Sequence, residues 1–450
     1  MSRPSPLARI IHARLLRLHI HCAWIALERV VIPGIRILVA AILLGSTAVL
    51  ITDGLAAADW PQFRGPTAQG HSDAKNLPLT WSEEKNVRWK VSLPGKGWSS
   101  PIGANDLLWM TTALGEGHSL RALCVHTEGG ELLYDIEVFA PKEPVSVHGT
   151  NSYASPTPIL EGDHLYVHFG SMGTACLDAD TGKIVWRHTA TQVNHATGPG
   201  TSPLLYQDLL IVPFDGADRQ FVVALNKKNG KLAWQRKRSA PLNDDELLRR
   251  SFCTPLLVRG AERDQLISPG PDQIHGYDPS SGEEIWHIRY QGFSIVPRPV
   301  YGHELVFFST GYSEKNLHAV RIDGKGDVTD THVAWTSKRQ VPTKPSPLLV
   351  DDSLYFVSDG GIVTCLDAKS GKPNWVQRLA GKYSASPVYG NGRIYLSSED
   401  GKFTVLAPGA EARILATNSL DGHFMASPAV LGEAFYLRSE THLYRIDSQQ

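Results

Sequence analysis

The stretch Cys176-Leu-Asp-Ala-Asp-Thr-Gly-Lys-Ile-Val-Trp186 returns along the chain. Its copies are Leu225-Asn-Lys-Lys-Asn-Gly-Lys-Leu-Ala-Trp234, Tyr277-Asp-Pro-Ser-Ser-Gly-Glu-Glu-Ile-Trp286 and Cys365-Leu-Asp-Ala-Lys-Ser-Gly-Lys-Pro-Asn-Trp375. A weaker copy is Cys124-Val-His-Thr-Glu-Gly-Gly-Glu-Leu-Leu-Tyr134. The glycine always stands four residues before the aromatic (Gly182 and Trp186, Gly230 and Trp234, Gly282 and Trp286, Gly371 and Trp375), and Asp or Asn stands four before the glycine in four copies. Asp, Asn, Ser and Thr open tight turns, and glycine takes the positive φ that other residues resist. Apolar residues flank the turn on both sides, as paired strands require. Each copy therefore reads as a β-hairpin whose last aromatic packs between neighbouring sheets.

A second marker sets the period. Ser100-Pro101, Ser155-Pro156, Ser202-Pro203, Thr254-Pro255, Arg298-Pro299, Ser346-Pro347, Ser386-Pro387 and Ser427-Pro428 each begin a strand-like run, with prolines 55, 47, 52, 44, 48, 40 and 41 residues apart. That interval suits one four-stranded propeller blade rather than a helical repeat, and proline suits the first residue of a strand. The sequence predicts an all-β, eight-bladed β-propeller of four-stranded antiparallel blades. The last unit stops before its Trp strand, while Asn86-Val-Arg-Trp-Lys-Val91 precedes the first Ser–Pro. This N-terminal strand is expected to complete the last blade and close the ring. The units ending near Trp335 and after Ala407 are irregular.

Residues 1–58 differ in kind. They hold six arginines against Glu28 and Asp53, then the apolar run Ile37 to Ile51, then Ala56-Ala57-Ala58 before Asp59. This layout is that of a signal peptide, with a membrane anchor through residues 37–51 as the competing reading. The expected organisation is a leader (1–58), a lead-in segment (59–85) and the propeller (86–450), in a protein exported to the periplasm or secreted. The whole chain carries 44 basic and 45 acidic residues, so without the leader it is acidic by about five charges. No basic stripe interrupts the repeats, which argues against a nucleic-acid partner. Nothing signals an oligomer, and a monomer is expected. Cys124, Cys176 and Cys365 occupy one equivalent position in three units and are expected as buried free thiols. Cys253, beside Thr254, is the one expected to be exposed.

In a propeller the loops before each Ser–Pro converge on the axial funnel, and loops on a rigid scaffold carry function. These loops offer Trp98, His148, Asn151, Tyr153, His195, Arg249, Arg250, Tyr383 and His423 as the funnel mouth, with Lys344 nearby. Such a mouth suits an anionic or aromatic small molecule or a protein segment, although the same residues could simply cap the channel. His148, His195 and His423 are a weaker candidate for a metal, since no carboxylate accompanies them. Asp215 and Asp218 read as turn residues. The Ser–Pro serines have no base at fixed spacing and are not nucleophiles. The residues themselves predict no cofactor and no catalytic set.

The Asp-Ala-x-Thr/Ser-Gly-Lys-x-x-Trp hairpins and Ser–Pro strands, covering about residues 86–447, resemble the PQQ-binding-like propeller family of quinoprotein dehydrogenases and BamB-type assembly factors. The opening Asp59-Trp-Pro-Gln-Phe-Arg-Gly-Pro66 is similar to the start of secreted propellers from planctomycete-like bacteria. The resemblance implies either a protein-binding scaffold of the cell envelope or an alcohol dehydrogenase-like oxidoreductase using pyrroloquinoline quinone and calcium. The dehydrogenases carry adjacent cysteines, acidic and amide calcium ligands and an axial Asp. This chain has no adjacent cysteine pair, and no calcium triad can be assigned. The expected function is accordingly a non-catalytic binding scaffold, with the quinoprotein as the alternative.

Overall fold

A computed structural model describes residues 59–260 and 262–448. The leader, with its signal and anchor readings, lies outside the described residues. Eight sheets follow in chain order. Their innermost strands are Ile102–Ala104, Ile159–Glu161, Leu204–Tyr206, Leu256–Val258, Val300–Gly302, Leu348–Val350, Val388–Gly390 and Ala429–Leu431. Each blade runs outward through four antiparallel strands, as in blade 2 with Ile159–Glu161, His164–His168, Thr174–Asp178 and Ile184–His188. The eighth blade takes its outer strand from the other end of the propeller. Val87–Ser92 pairs antiparallel with His442–Ile446, from Val87 opposite Ile446 to Ser92 opposite His442. The eight-bladed architecture and its closure follow the sequence expectation.

The hairpin turns form as their residues dictate. Asp178 Oδ1 accepts from the amides of Asp180 and Thr181 and from the Thr181 hydroxyl, and Gly182 takes φ +69°. The trailing aromatic then reaches the next blade. Trp186 lies over Gly230, Trp234 over Gly282 and Trp335 over Gly371, so close that a Cβ on the glycine would meet the ring at 2.5–2.6 Å. The Trp186 indole donates to Lys227 O at 2.9 Å, Trp375 to Gly409 O at 3.0 Å and Trp89 to Thr127 O at 2.9 Å. Trp286 departs from the pattern and bonds Gln265 within its own blade at 2.7 Å. The reason is blade 5, whose long excursion lays Gly326–Asp327 parallel along the outer strand Glu284–Arg289 of blade 4 as a fifth strand.

Around the axis the Ser–Pro residues make a belt. Each backbone amide donates to the hydroxyl of the next blade: Ser100 to Thr157 at 3.0 Å, Thr157 to Ser202 at 2.9 Å, Ser202 to Thr254 at 3.0 Å. The series resumes from Arg298 to Ser346, Ser386 and Ser427, and closes from Ser427 to Ser100 at 3.2 Å. Blade 2 corrects the sequence reading. Its belt residue is Thr157, followed by Pro158, whereas the Ser155 hydroxyl turns to Asn151 Oδ1 at 2.6 Å. Arg298 brings no hydroxyl, and there the guanidinium substitutes, with Nε donating to Pro255 O at 3.1 Å.

Two further expectations fail. Cys253 is buried, its thiol against Pro297 O at 3.2 Å, because the residue before the belt points inward between blades 4 and 5. Asp215 is not a turn residue. It ends a strand and grips Arg238 through two bonds of 2.6 and 2.8 Å, with both side chains buried. Cys124, Cys176 and Cys365 are buried free thiols as expected.

The lead-in is a strap rather than a spacer. Trp60 bridges Gly103 of blade 1, Pro61 O accepts from Leu160 of blade 2, and Gln69 reaches Tyr301 of blade 5. His71 bridges Tyr389 of blade 7, and Trp81 packs among Tyr395, Phe403 and Phe435. Gly103, Leu160, Tyr301 and Tyr389 lie on innermost strands, past the belt and away from the funnel mouth, so the segment crosses the far end of the axial channel.

Candidate functional site

The funnel runs from the loops before the belt down to Phe63 of the strap, and encloses about 400 Å³. Its lower wall is the hydroxyl belt: Ser100, Thr157, Ser202, Thr254, Ser386 and Ser427. Its upper wall is aromatic on two sides, Trp98 on one and Phe252, Phe293 and Tyr312 on the other. The last two rings meet at 6.1 Å. Two cations, Arg250 and Lys344, also reach this wall.

Of the nine residues expected at the mouth, Trp98, His148, Asn151 and Arg250 line it. His423 stands at the rim, edge-on to Trp98 at 5.8 Å. Asn151 is a clamp as much as a contact. Its amide donates to Thr197 O and Pro199 O at 2.9 and 3.1 Å, tying the loops of blades 2 and 3 together. Lys344 is held by Glu399 at 2.9 Å, and Glu399 also accepts from Ser384. Arg250 has no such partner among the described residues: its Nε is buried without a hydrogen bond, and desolvation lowers its pKa against the pull of Asp245.

The other four are corrections. Tyr153 turns away and lies flat on Gly117, whose Cβ would meet the ring at 2.5 Å. Tyr383 is fully buried among blade 6 and 7 residues, bonded to Ala380 O at 3.2 Å. His195 is buried, and its Nε2 accepts from the Ser171 amide at 2.9 Å. Burial pushes that imidazole down to about 4. Arg249 points away from the funnel, donating to Asp244 O at 3.1 Å and Asn243 O in its own loop and to Ala217 O at 3.1 Å in the turn between the middle strands of blade 3. In each case a side chain that the loop could have shown to the funnel instead satisfies backbone groups or covers a glycine. The three-histidine metal reading falls with His195: among the described residues no group of three or more His, Cys, Asp or Glu converges to hold an ion.

Sequence reasoning missed three parts of the wall. Phe293 sits in the loop before Arg298-Pro299, and the same rule that selected Trp98 would have found it. Tyr312 comes from the other loop of blade 5, between its middle strands, where the repeat gave no marker. Phe63 arrives from the strap, which pairs with the propeller only in three dimensions.

The wall does not fit the calcium implied by the family resemblance. Calcium takes six to eight oxygen ligands, carboxylates chief among them, and the funnel wall presents cations and hydroxyls with no Asp or Glu. The four described cysteines lie singly, each buried. No helix of the described residues is long and apolar enough to cross a membrane.

Similarity to known proteins agrees with the propeller fold. The family model described as outer membrane protein assembly factor BamB matches residues 82–267 and 327–422. A curated relative, the outer membrane protein assembly factor BamB of Yersinia pestis, is 20% identical over 264 residues, covering 56% of this chain. The chain spans 64% of that relative's length. Among solved structures, BamB of Moraxella catarrhalis superposes with a TM-score of 0.54 at 16% identity, covering 80% of this chain and 99% of the other. The quinohemoprotein alcohol dehydrogenase of Comamonas testosteroni gives 0.62 at 12% identity, over 87% and 81%. A europium-containing methanol dehydrogenase gives 0.61 at 12% identity, over 87% and 98%. At these identities the structures share the fold, and fold alone does not assign chemistry. With 282 residues matched by its model, this chain belongs to the PQQ-like β-propeller family described as outer membrane protein assembly factor BamB.

Proposed function

We propose that the protein is an exported scaffold of the cell envelope that docks a partner protein on its funnel face. One observation carries this reading. The loop from blade 3 to blade 4 holds Leu242 and Leu247 out in solvent, 38% and 60% exposed, beside the funnel residue Arg250. The loop is not slack. Arg249 straps it through three carbonyls, and Asp245 caps its short 3-10 turn Glu246–Leu248 by accepting from Leu247 N at 2.9 Å. The leucines add exposed apolar area on a fixed loop, and the anchors of an interaction hot spot stand beside them in the wall as Trp98, Tyr312 and Arg250. Family membership supports the same reading, and the poor fit of the wall to calcium weighs against the quinoprotein.

The test is affinity purification from an envelope extract of the source organism, with the chain as bait alongside Leu247→Asp and Phe293→Ala. One defined partner, retained by the parent and lost by at least about tenfold from both variants at unchanged circular dichroism, is the expected result. Retention by both variants would move the interface off the funnel face. Calorimetric heat and thermal stabilisation with pyrroloquinoline quinone and calcium would overturn the scaffold reading in favour of the enzyme.

A further inference from the structure

Two arginines meet at the far end of the axial channel without an acid. Arg64 of the strap is 2% exposed and Arg298 of the belt 1%. Arg298 Nη1 donates to Phe63 O at 2.9 Å, the residue before Arg64, and Arg298 N donates to the Ser346 hydroxyl. Arg64 Nη1 in turn donates to Pro347 O at 2.7 Å, the residue after Ser346, and Nη2 to Gln69 O at 2.8 Å. The Arg298 guanidinium, which also donates from Nε to Pro255 O, thus holds the strap at the residue before Arg64, and the Arg64 guanidinium holds the belt at the residue after the one bonded by the Arg298 backbone amide. Every acceptor they use is a neutral carbonyl. Arg64 Nε and Arg298 Nη2 are buried donors with no hydrogen-bond partner, and neither arginine makes an ion pair among the described residues.

The rest of the chain shows how unusual this is. Arg238, equally buried, has Asp215 on two bonds. Arg438 also lacks an acid, but it is a single charge whose Nη1 has three acceptors, Ser99 O, Ser99 Oγ and Thr111 O. Among the described arginines, Arg64 is the one whose buried charge is opposed by another buried arginine, Arg298. Burial, then the Arg298 charge, pushes Arg64 down to about 9, and burial pushes Arg298 down to about 10. Both remain cationic near neutral pH. A pair of like charges in a low-dielectric interior is strongly unfavourable unless countered, and buried unpartnered donors on both members leave room for a water or an ion between them.

We propose that a small monovalent inorganic anion, chloride in ordinary media, binds between the Arg64 and Arg298 guanidiniums, accepts from Arg64 Nε and Arg298 Nη2, and fastens the strap across the end of the axial channel. The site lies on the strap side of Phe63, distinct from the funnel wall where a partner would dock. Its occupant offsets one of the two positive charges and screens the repulsion between the arginines that hold Phe63 and Gln69 in place.

Crystals of the protein grown in chloride and exchanged into bromide test this directly. The expected result is an anomalous bromide peak within hydrogen-bond distance of both Arg64 Nε and Arg298 Nη2. Bromide at surface sites only, with a water molecule at these two atoms, overturns the proposal. In solution, protein dialysed into gluconate and titrated with chloride at constant ionic strength should gain about 2 °C in unfolding midpoint, saturably. Arg298→Met should lose that response while keeping the parent circular dichroism. A parent protein indifferent to chloride overturns the fastening role. Should Arg298→Met not fold, Arg64→Gln serves the same comparison, and the bromide map needs no variant.

Discussion

At the scale of single residues, the histidines that lost their place in the funnel acquire a different consequence. His168 and His195 are both buried, and both accept at Nε2 from successive backbone amides, Gly170 and Ser171, at 3.2 and 2.9 Å. His168 also places Nδ1 against the Thr174 hydroxyl at 2.8 Å. An accepting nitrogen has no room for a proton, and burial disfavours the charged ring. Desolvation, with the neighbouring His195 and His188 adding, pushes His168 down to about 3, and desolvation pushes His195 down to about 4. In the unfolded chain both return to about 6.5. Between those limits the unfolded state binds more protons, so the stability is fully present above pH 6.5 and is lost as pH falls towards 4. Each histidine should cost about 2 kcal/mol by pH 5. Urea unfolding at pH 7, 6 and 5 checks this: His195→Gln and His168→Asn should each flatten the slope by about one proton, and a slope equal to the parent's would mean the rings are already charged in the fold.

At the scale of elements, the repeating hairpin is a fastener between blades. The turn glycine of one blade receives the tryptophan of the one before, so the motif specifies an interface rather than a cofactor. Gly230 has φ +69°, and a Cβ there would meet the Trp186 ring at 2.5 Å, whereas a Cβ on Gly360 would point into open space. Gly230→Ala should therefore cost about 2–3 kcal/mol, from the left-handed backbone and the displaced indole. Gly360→Ala should stay within about 0.5 kcal/mol. Chemical denaturation of the two variants side by side measures the difference, and equal stabilities would refute the fastener. This is also where the legibility of the sequence divides. The hairpins, the belt prolines and the closing strand were readable because each rests on local turn chemistry repeated at a fixed interval. Funnel residues were half readable. Loop position told that Trp98, His148, Asn151 and Arg250 were near the axis, but side-chain direction depends on which backbone groups need partners. That demand took His195, Tyr383 and Arg249 inward. The Arg238–Asp215 pair and the strap contacts of Arg64 had no sequence signal, since their partners lie 23 and 283 residues away.

At the scale of the whole molecule, the ring is closed twice: by the outer strand of blade 8, and by a strap that ties blades 1, 2, 5, 6 and 7 across the far face. Both closures use residues 59–92. Asp59, Asp447 and Ser448 line one groove on this face, and Asp447 N donates to Asn86 O at 3.1 Å. The two ends of the described chain are near neighbours. Joining Ser448 to Asp59 through a short Gly/Ser linker should cost little, as it does where termini are close and exposed. The new opening belongs between Ala410 and Glu411, in the exposed turn of blade 7. The strand Arg413–Ser419 then comes first in the chain and completes its blade against Lys402–Ala407, just as Val87–Ser92 now completes blade 8. The permuted protein should give the parent far-UV circular dichroism and an unfolding midpoint within about 5 °C of it, since no buried contact is removed. A permutant that fails to fold would mean that the Val87–Ser92 closure needs its place in the chain, and that edge pairing alone does not complete the ring.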